Sequence, residues 1–171
     1  MNSIFRFCPR CGSDGIGFEK GLYWLCPSCG FQYFHNTAAA AGVILRDKGR
    51  ILFIKRAAEP ARGKLAVPGG FIGPGETAEE AAVRETREEL GAEIRNLRFI
   101  ASRPNLYLYR DIPYNTCDLF FTADLITSFG DFTIEKSEIE EVSFLKPEEI
   151  NYDDIAFTSL KEILRITAGD H

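Results

Sequence analysis

Three glutamates lie close together in one acidic segment, and their spacing suits metal-dependent chemistry. Glu85, Glu88 and Glu89 stand at positions i, i+3 and i+4, so a helix would place their carboxylates on one stripe of its surface. Like charges on adjacent turns repel each other unless a cation compensates them, and hard oxygen donors suit Mg²⁺ or Mn²⁺. The alternative is a solvated acidic face, which most acidic runs on helices are.

A glycine-rich segment, PGGFIGPGE at residues 68–76, leads into these glutamates. Glycine permits unusual backbone angles and brings carbonyl groups close to a ligand. Five residues separate Gly70 from Glu76, and seven more lead to Arg84, which opens the sequence RETREELGA. This spacing resembles the signature of the Nudix hydrolase family from Gly70 to Gly91. This sequence differs from the signature only at positions where the family usually has a larger aliphatic side chain.

The resemblance implies a role for each of these residues. The three glutamates would bind divalent ions, Mg²⁺ or Mn²⁺, with help from the carbonyl of Gly70. Glu76 would pair with Arg84 and hold the loop on the helix. Ions held by carboxylates neutralise a pyrophosphate, orient a water and lower its pKa, and a remaining carboxylate can take the proton. The resemblance therefore implies a divalent-metal-dependent hydrolase of pyrophosphate bonds.

Members of this family often use a further acid from beyond the helix, and the segment KSEIEEV at 136–142 offers candidates. A similar Glu-Ile segment in family members favours Glu138, with Glu141 or a purely solvated loop as the alternatives. Arg56 follows a predicted strand and could contact a substrate phosphate or be an exposed strand-end cation. Phe71 and Tyr107 could stack on a base or pack in the core.

Four of the five cysteines lie in the first 29 residues, in two CPxCG motifs. A segment of about 35 residues cannot bury enough surface to fold alone, so something must cross-link it. The motifs resemble a zinc ribbon, in which one structural Zn²⁺ is held by four thiolates, here Cys8, Cys11, Cys26 and Cys29. Disulfides are the alternative, although the compartment is predicted to be reducing. Structural support or homodimerisation is the role expected of the ribbon, and nucleic-acid binding is the alternative.

Length and composition bound the function further. A chain of 171 residues can hold one main domain and a small module. The sequence shows no signal peptide and no apolar run approaching the roughly 20 residues that span a bilayer, so we expect a cytoplasmic protein without a membrane partner. The net charge of −5 argues against a broad electrostatic grip on nucleic acid.

The elements that must position these residues follow from the pattern of apolar residues. Apolar stretches at 38–45 and 51–54 flank a turn at 47–49 and predict a β-hairpin. Further strands are predicted at 65–67, 97–101, 106–109, 118–125 and 142–145.

Two helices are predicted among these strands. Thr77 and Glu80 form a capping box for the first helix, which ends at Gly91, and Ser159 with Glu162 suggests the same box for the second. Together with the resemblance, these elements predict a zinc ribbon at residues 1–35 and a Nudix-type α/β/α sandwich with a mixed sheet at 36–171.

A zinc ribbon ahead of a Nudix domain is similar to the NADH pyrophosphatase branch of the family. That branch usually carries Ser-Gln-Pro-Trp after the helix, where this chain has SRPNLY at 102–107; the serine and proline match, and the glutamine and tryptophan do not. We expect a small nucleotide substrate, a nucleoside diphosphate linked to another moiety, with ADP-ribose or NADH favoured and a nucleoside monophosphate released. The alternatives are a nucleoside triphosphate pyrophosphohydrolase and a non-catalytic nucleotide-sensing module.

Overall fold

The computed structural model of the chain describes residues 5–110 and 112–168. Two compact units divide the chain at residue 37. The first contains a three-stranded antiparallel sheet in the order β1-β2-β3, formed by Gly17–Glu19, Tyr23–Leu25 and Gln32–Phe34. Its small core is a cluster of four buried residues, Cys8, Ile16, Trp24 and Cys26. No described helix of either unit is long and apolar enough to cross a membrane.

The second unit is built on a seven-stranded sheet. Its strands are β4 (Ala38–Asp47), β5 (Arg50–Arg56), β6 (Leu65–Ala66), β7 (Gly69–Phe71), β8 (Ile94–Tyr109), β9 (Ile112–Leu125) and β10 (Ile139–Leu145). The main order is β10-β5-β4-β9-β8, with β6 beside β5 and β7 beside β4. Because β4 and β9 run parallel while the other pairs are antiparallel, the sheet is mixed, as predicted.

A helix covers each face of this sheet. Helix α1 (Ala78–Leu90) packs its alanines and Leu90 against the side of β4 that carries Val43. Helix α2 (Thr158–Ala168) packs against the opposite side, which carries Ile44. Successive strand residues point to opposite faces, so one apolar strand can serve both cores. The predicted α/β/α sandwich is therefore confirmed.

The ends of helix α1 follow from local capping, as the sequence predicts. Thr77 accepts a hydrogen bond from the backbone N–H of Glu80 at 3.1 Å, and the Glu80 carboxylate accepts one from the N–H of Thr77 at 2.8 Å. Gly91 has a left-handed φ of 61°, and its N–H donates to the carbonyl of Arg87 at 2.8 Å. These caps satisfy backbone groups that the helix leaves unpaired.

Three sequence predictions about elements were wrong or incomplete. The strands expected at 97–101 and 106–109 are one strand, β8, which contains Pro104; the proline is tolerated because β8 lies at the edge of the sheet. Residues 69–71, expected as loop, form β7. Ser159 does not cap α2, because it is buried inside the first turn and donates a hydrogen bond to Asp118.

Candidate active site

The three glutamates of α1 differ sharply in burial. Glu89 is only 4% exposed, and its carboxylate accepts a hydrogen bond from the backbone N–H of Gly69 at 3.0 Å. The Glu85 side chain is 14% exposed, whereas that of Glu88 is 60% exposed. The stripe therefore runs from the sheet side of the helix to solvent, and two carboxylates lie largely out of water.

Arg84 joins the glycine-rich loop to this stripe. Its Nε and Nη2 donate to the two carboxylate oxygens of Glu76 at 2.7 and 2.9 Å, and Nη1 donates to Glu85 at 2.7 Å and to Glu88 at 2.9 Å. The Arg84 guanidinium and the N–H of Gly73 together lower the pKa of Glu76 to about 2. A planar fork that binds three carboxylates fixes the loop on the helix.

Burial disfavours the charged forms of Glu85 and Glu89. Burial raises the pKa of Glu89 to about 8, and the charges of Glu85 and Glu138 add to this, although the Gly69 N–H and Arg56 oppose it. Burial also raises the pKa of Glu85, against the effect of Arg84. A cation between these groups would favour their charged forms and relieve the repulsion between them.

Glu138 lies close enough to act on this cluster from another element. It precedes β10, and its carbonyl accepts a hydrogen bond from the N–H of Ala57, just after β5. Its charge contributes to the raised pKa of both Glu85 and Glu89. Glu141, the alternative candidate, lies within β10 opposite Lys55 and is exposed.

Gly70 lets the Glu85 carboxylate lie directly against strand β7. A Cβ at Gly70 would come within 2.6 Å of the carboxylate carbon of Glu85, closer than side chains tolerate. A Cβ on Gly69 would likewise overlap the carbonyl of Ala41 on β4. Close approach to backbone thus requires a glycine at position 69, whereas a side chain at Gly70 would have to displace the Glu85 carboxylate. The glycine pair brings the backbone of β7 against the acidic cluster.

A cavity of about 110 Å³ borders this glycine pair. Arg56, Phe71 and Tyr107, all predicted to bind substrate, line it together with Gly70. The Phe71 and Tyr107 rings meet edge to face at 5.4 Å. The Arg56 guanidinium stacks 5.2 Å from the ring of Phe157. The cavity offers aromatic walls and one cation beside the acidic cluster.

Sequence reasoning missed a buried polar group in this cavity. Asp118 is 9% exposed; one carboxylate oxygen accepts from the Thr116 hydroxyl at 2.7 Å and the other from the Ser159 hydroxyl at 2.5 Å. Asp118 and Thr116 line the cavity. A charged residue opening the apolar stretch DLFFTADL was the available signal, because carboxylates are rarely buried without a partner or a role.

The four cysteines of the ribbon form a second candidate site. Their sulfurs all lie within 4.8 Å of one another, with Cys8 and Cys29 at 3.8 Å and Cys11 and Cys26 at 3.7 Å. Tetrahedral Zn²⁺ with bonds of about 2.3 Å would hold sulfurs about 3.8 Å apart, so the cluster fits one such ion. The described cysteines are free thiols, so disulfides do not join them.

Backbone geometry prepares these thiols for a metal. Gly12 and Gly30 have left-handed φ angles of 75° and 69°, and each donates its N–H to the carbonyl of the first cysteine of its motif at 2.9 Å. Burial opposes ionisation of Cys26, but the N–H groups of Cys29 and Ser28 lower its pKa to about 6. A thiolate is the form that binds a metal.

The fold agrees with comparisons to known proteins. The NUDIX domain model matches residues 35–165, and the chain belongs to this family, as predicted from the segment beginning at Gly70. NUDIX hydrolases use divalent metals. The crystal structure of a NUDIX hydrolase from Nitrosomonas europaea is similar, with a TM-score of 0.70 and 27% identity over 98% of this chain and 94% of that one.

Two curated relatives show which members of the family this chain resembles in sequence. The chain is 39% identical over 98 residues to the NAD-capped RNA hydrolase NudC of Chromobacterium violaceum, covering 57% of this chain and 37% of that protein. It is 40% identical over 96 residues to the ADP-ribose pyrophosphatase of Methanocaldococcus jannaschii, covering 55% and 54%. The chain thus spans between about a third and about half of the length of these relatives.

Proposed function

We propose that this protein is a divalent-metal-dependent pyrophosphohydrolase of a nucleoside diphosphate linked to another moiety. ADP-ribose and NADH are the favoured substrates, and a nucleoside monophosphate is one product. The observation that carries the proposal is the pair of buried carboxylates, Glu85 and Glu89, which lie against strand β7 and beside an aromatic cavity. The same proposal includes a cytoplasmic location, where reducing conditions keep thiols available for metal.

In this proposal Glu85, Glu88 and Glu89 hold Mg²⁺ or Mn²⁺, with the Gly70 carbonyl as a further ligand. The hard oxygen donors fit these ions. When bound, the ions neutralise the pyrophosphate and lower the pKa of a water. Arg84 and Glu76 are positioning residues, because their ion pair of 2.7 Å fixes the loop that carries Gly70.

The proton of the attacking water needs an acceptor that is not fully engaged in holding ions. Glu138 is exposed at the edge of the cluster, and its charge reaches both buried carboxylates. We therefore assign Glu138 as the further acidic residue of the site. Its carboxylate would act as a general base and accept the proton of the attacking water.

Substrate binding is assigned to the cavity that borders the glycine pair. Phe71 is 44% exposed, so its ring remains available for a flat group of the substrate. Tyr107 forms the adjoining wall, and Arg56 supplies a cation for phosphate. The names of the two relatives, which refer to NAD-capped RNA and to ADP-ribose, support a substrate with an adenosine diphosphate part.

The ribbon is proposed to bind Zn²⁺ for a structural purpose. Four sulfurs complete a tetrahedral site, so no position remains for a reacting water. Support of the fold or homodimerisation is its proposed role.

The direct test is a substrate panel with identified products. The protein is incubated with Mg²⁺ or Mn²⁺ and ADP-ribose, NADH, NAD-capped RNA, dinucleoside polyphosphates, nucleotide sugars or nucleoside triphosphates, and the products are separated by chromatography. We expect a nucleoside monophosphate from ADP-ribose or NADH. Release of inorganic pyrophosphate from triphosphates alone would support the triphosphate alternative. Hydrolysis of NAD-capped RNA alone would show that the substrate is a capped RNA and not a small nucleotide. Absence of turnover would overturn the enzyme assignment.

A matched pair of variants tests the site. Glu89→Gln keeps the shape and the acceptor for Gly69 but removes the charge, so turnover should fall by about 100-fold or more. Glu79→Gln changes an exposed glutamate in the first turn of the same helix and should keep wild-type turnover. Equal rates in both variants would remove Glu89 from the proposed site.

A further inference from the structure

Asp118 is a buried charge that the proposed hydrolysis does not use. It sits on β9, in the cavity and not in the acidic cluster of α1. We propose that Asp118 is a specificity-determining residue that accepts a hydrogen bond from an amino or carboxamide NH₂ on a flat ring of the substrate. This inference rests on the proposed function, because it concerns the group attached to the pyrophosphate.

Strand register places Asp118 across the cavity from an aromatic ring. Phe71 on β7 pairs with Ala40 on β4, and Ala40 pairs with Asp118 on β9. Residues in direct register point to the same face, and two strand spacings separate Phe71 from Asp118 by about 9.5 Å. The short side chain of Ala40 leaves the space between them open, and all three residues line the cavity.

The Asp118 carboxylate is held in one orientation. Thr116 donates to one oxygen and Ser159 to the other. Each carboxylate oxygen has more than one acceptor site, so both retain capacity for a further donor. An ionised carboxylate only accepts hydrogen bonds, so the ligand group that contacts it must be a donor.

No arginine neutralises this charge by an ion pair within the described structure. Arg103 stands opposite Asp118 in register on β8, but its guanidinium pairs with Glu162 at 3.0 Å. Arg56 lines the same cavity, but its charge acts on Glu89, and its Nε donates to the carbonyl of Pro60 at 2.8 Å. The cavity is therefore lined by one cation, Arg56, whose charge acts on the acidic cluster, and by one anion, Asp118, which Arg56 does not pair with.

Aromatic walls favour a flat ring over a sugar as the group that reaches Asp118. The Tyr107 ring lies 5.4 Å from Phe71 and 5.8 Å from Phe157, so three rings border the space. Aromatic surfaces bind flat ring systems by stacking or edge contacts. A ring with an NH₂ group that meets a fixed carboxylate combines both recognition elements, and adenine and nicotinamide each carry such a group.

The test compares substrates that differ only in this group. For adenine, ADP-ribose is compared with its inosine analogue, which has an oxygen in place of the amino group. For nicotinamide, NADH is compared with its nicotinic acid counterpart, which has a carboxylate in place of the carboxamide. In one of these two pairs the wild-type protein should prefer the NH₂ substrate by about tenfold or more in kcat/KM, because a buried acceptor would lose its donor.

Asp118→Asn should collapse or invert that preference, since an amide can donate to an oxygen while it still accepts from Thr116 or Ser159. Asp124→Asn is the matched control, because it makes the same change on β9 at an exposed residue that does not line the cavity; it should keep the preference. A purely structural Asp118 would leave the substrate ratio unmoved in both variants. Ratios near one in both wild-type pairs would also overturn the inference.

A binding arm separates this inference from the proposed reaction. Equilibrium dialysis of the wild-type protein with AMP against IMP, and with nicotinamide mononucleotide against nicotinic acid mononucleotide, needs no turnover. A tenfold preference for one NH₂ ligand that Asp118→Asn removes would support the inference even if hydrolysis failed. Turnover of ADP-ribose or NADH without any such preference would sustain the proposed function and overturn the inference alone.

Discussion

Glu89 and Gly69 stand 20 positions apart in the chain, yet the buried carboxylate of Glu89 accepts the backbone N–H of Gly69 at 3.0 Å. The bond joins helix α1 to strand β7, so the Glu89 side chain both links two elements and belongs to the acidic cluster. One hydrogen bond does not replace the hydration that burial removes, and the pKa of Glu89 therefore rises to about 8.

Glu89 should make the stability of the metal-free protein depend on pH. The pKa of Glu89 is about 8 in the folded chain against an ordinary value of 4.5, so the folded state holds the proton more tightly. The stability due to this group is fully present below about pH 4.5 and is lost as the pH rises toward about 8. The melting temperature measured without Mg²⁺ or Mn²⁺ should fall across this range.

Glu89→Gln should flatten this decline, because the amide does not titrate and still accepts from Gly69. Glu79→Gln, on the exposed first turn, should keep the wild-type slope. If the slopes of the wild type and Glu89→Gln coincide, another group is responsible for the pH dependence.

Arg84→Lys should weaken the site although it preserves the charge. An ammonium cannot reproduce the fork that binds both oxygens of Glu76 and also reaches Glu85 and Glu88. We expect a loss of about 1–3 kcal/mol in the free energy of unfolding by urea, and a lower kcat. Arg87→Lys, on an exposed side chain of the same helix, is the control. An unchanged kcat would show that the loop needs no such clamp.

Gly70→Ala should displace the Glu85 carboxylate, because the new methyl group would overlap it. The variant should bind Mn²⁺ more weakly, as measured by calorimetry, and should hydrolyse substrate more slowly. Gly130→Ala is the control, since nothing lies within 4 Å of the added methyl group. Mn²⁺ affinities that agree between the two variants would contradict the role of close approach at Gly70.

The sequence was informative wherever the structure depends on neighbours along the chain. Thr77 and Glu80 cap α1 over three residues, and Gly91 ends the helix, so local patterns predicted both bounds correctly. The family signature is equally compact, since Gly70 to Gly91 contains the loop, the helix and its glutamates. Family membership and fold class followed from these segments and are confirmed.

Features that depend on strand order could not be predicted in this way. Pro104 reads as a strand breaker until β8 is known to lie at the edge of the sheet. Ser159 reads as a helix cap until Asp118, 41 positions away, is found to accept its hydroxyl. The spacing of the glutamates also does not reveal that Glu89 is buried while Glu88 is exposed, because burial depends on how α1 packs against β7.

The ribbon offers a test with an internal probe, because Trp24 is the only tryptophan of the chain and is buried in the ribbon core beside Cys26. Metal analysis should find one Zn²⁺ per chain. Removal of zinc by a strong chelator should expose the indole and shift its fluorescence to longer wavelengths, because a unit this small lacks the core to fold without metal. Cys26→Ser should produce the same shift without chelator, whereas Cys117→Ser, outside the cluster, should not. A protein that contains no zinc and keeps its emission in chelator would have a ribbon that folds by other means.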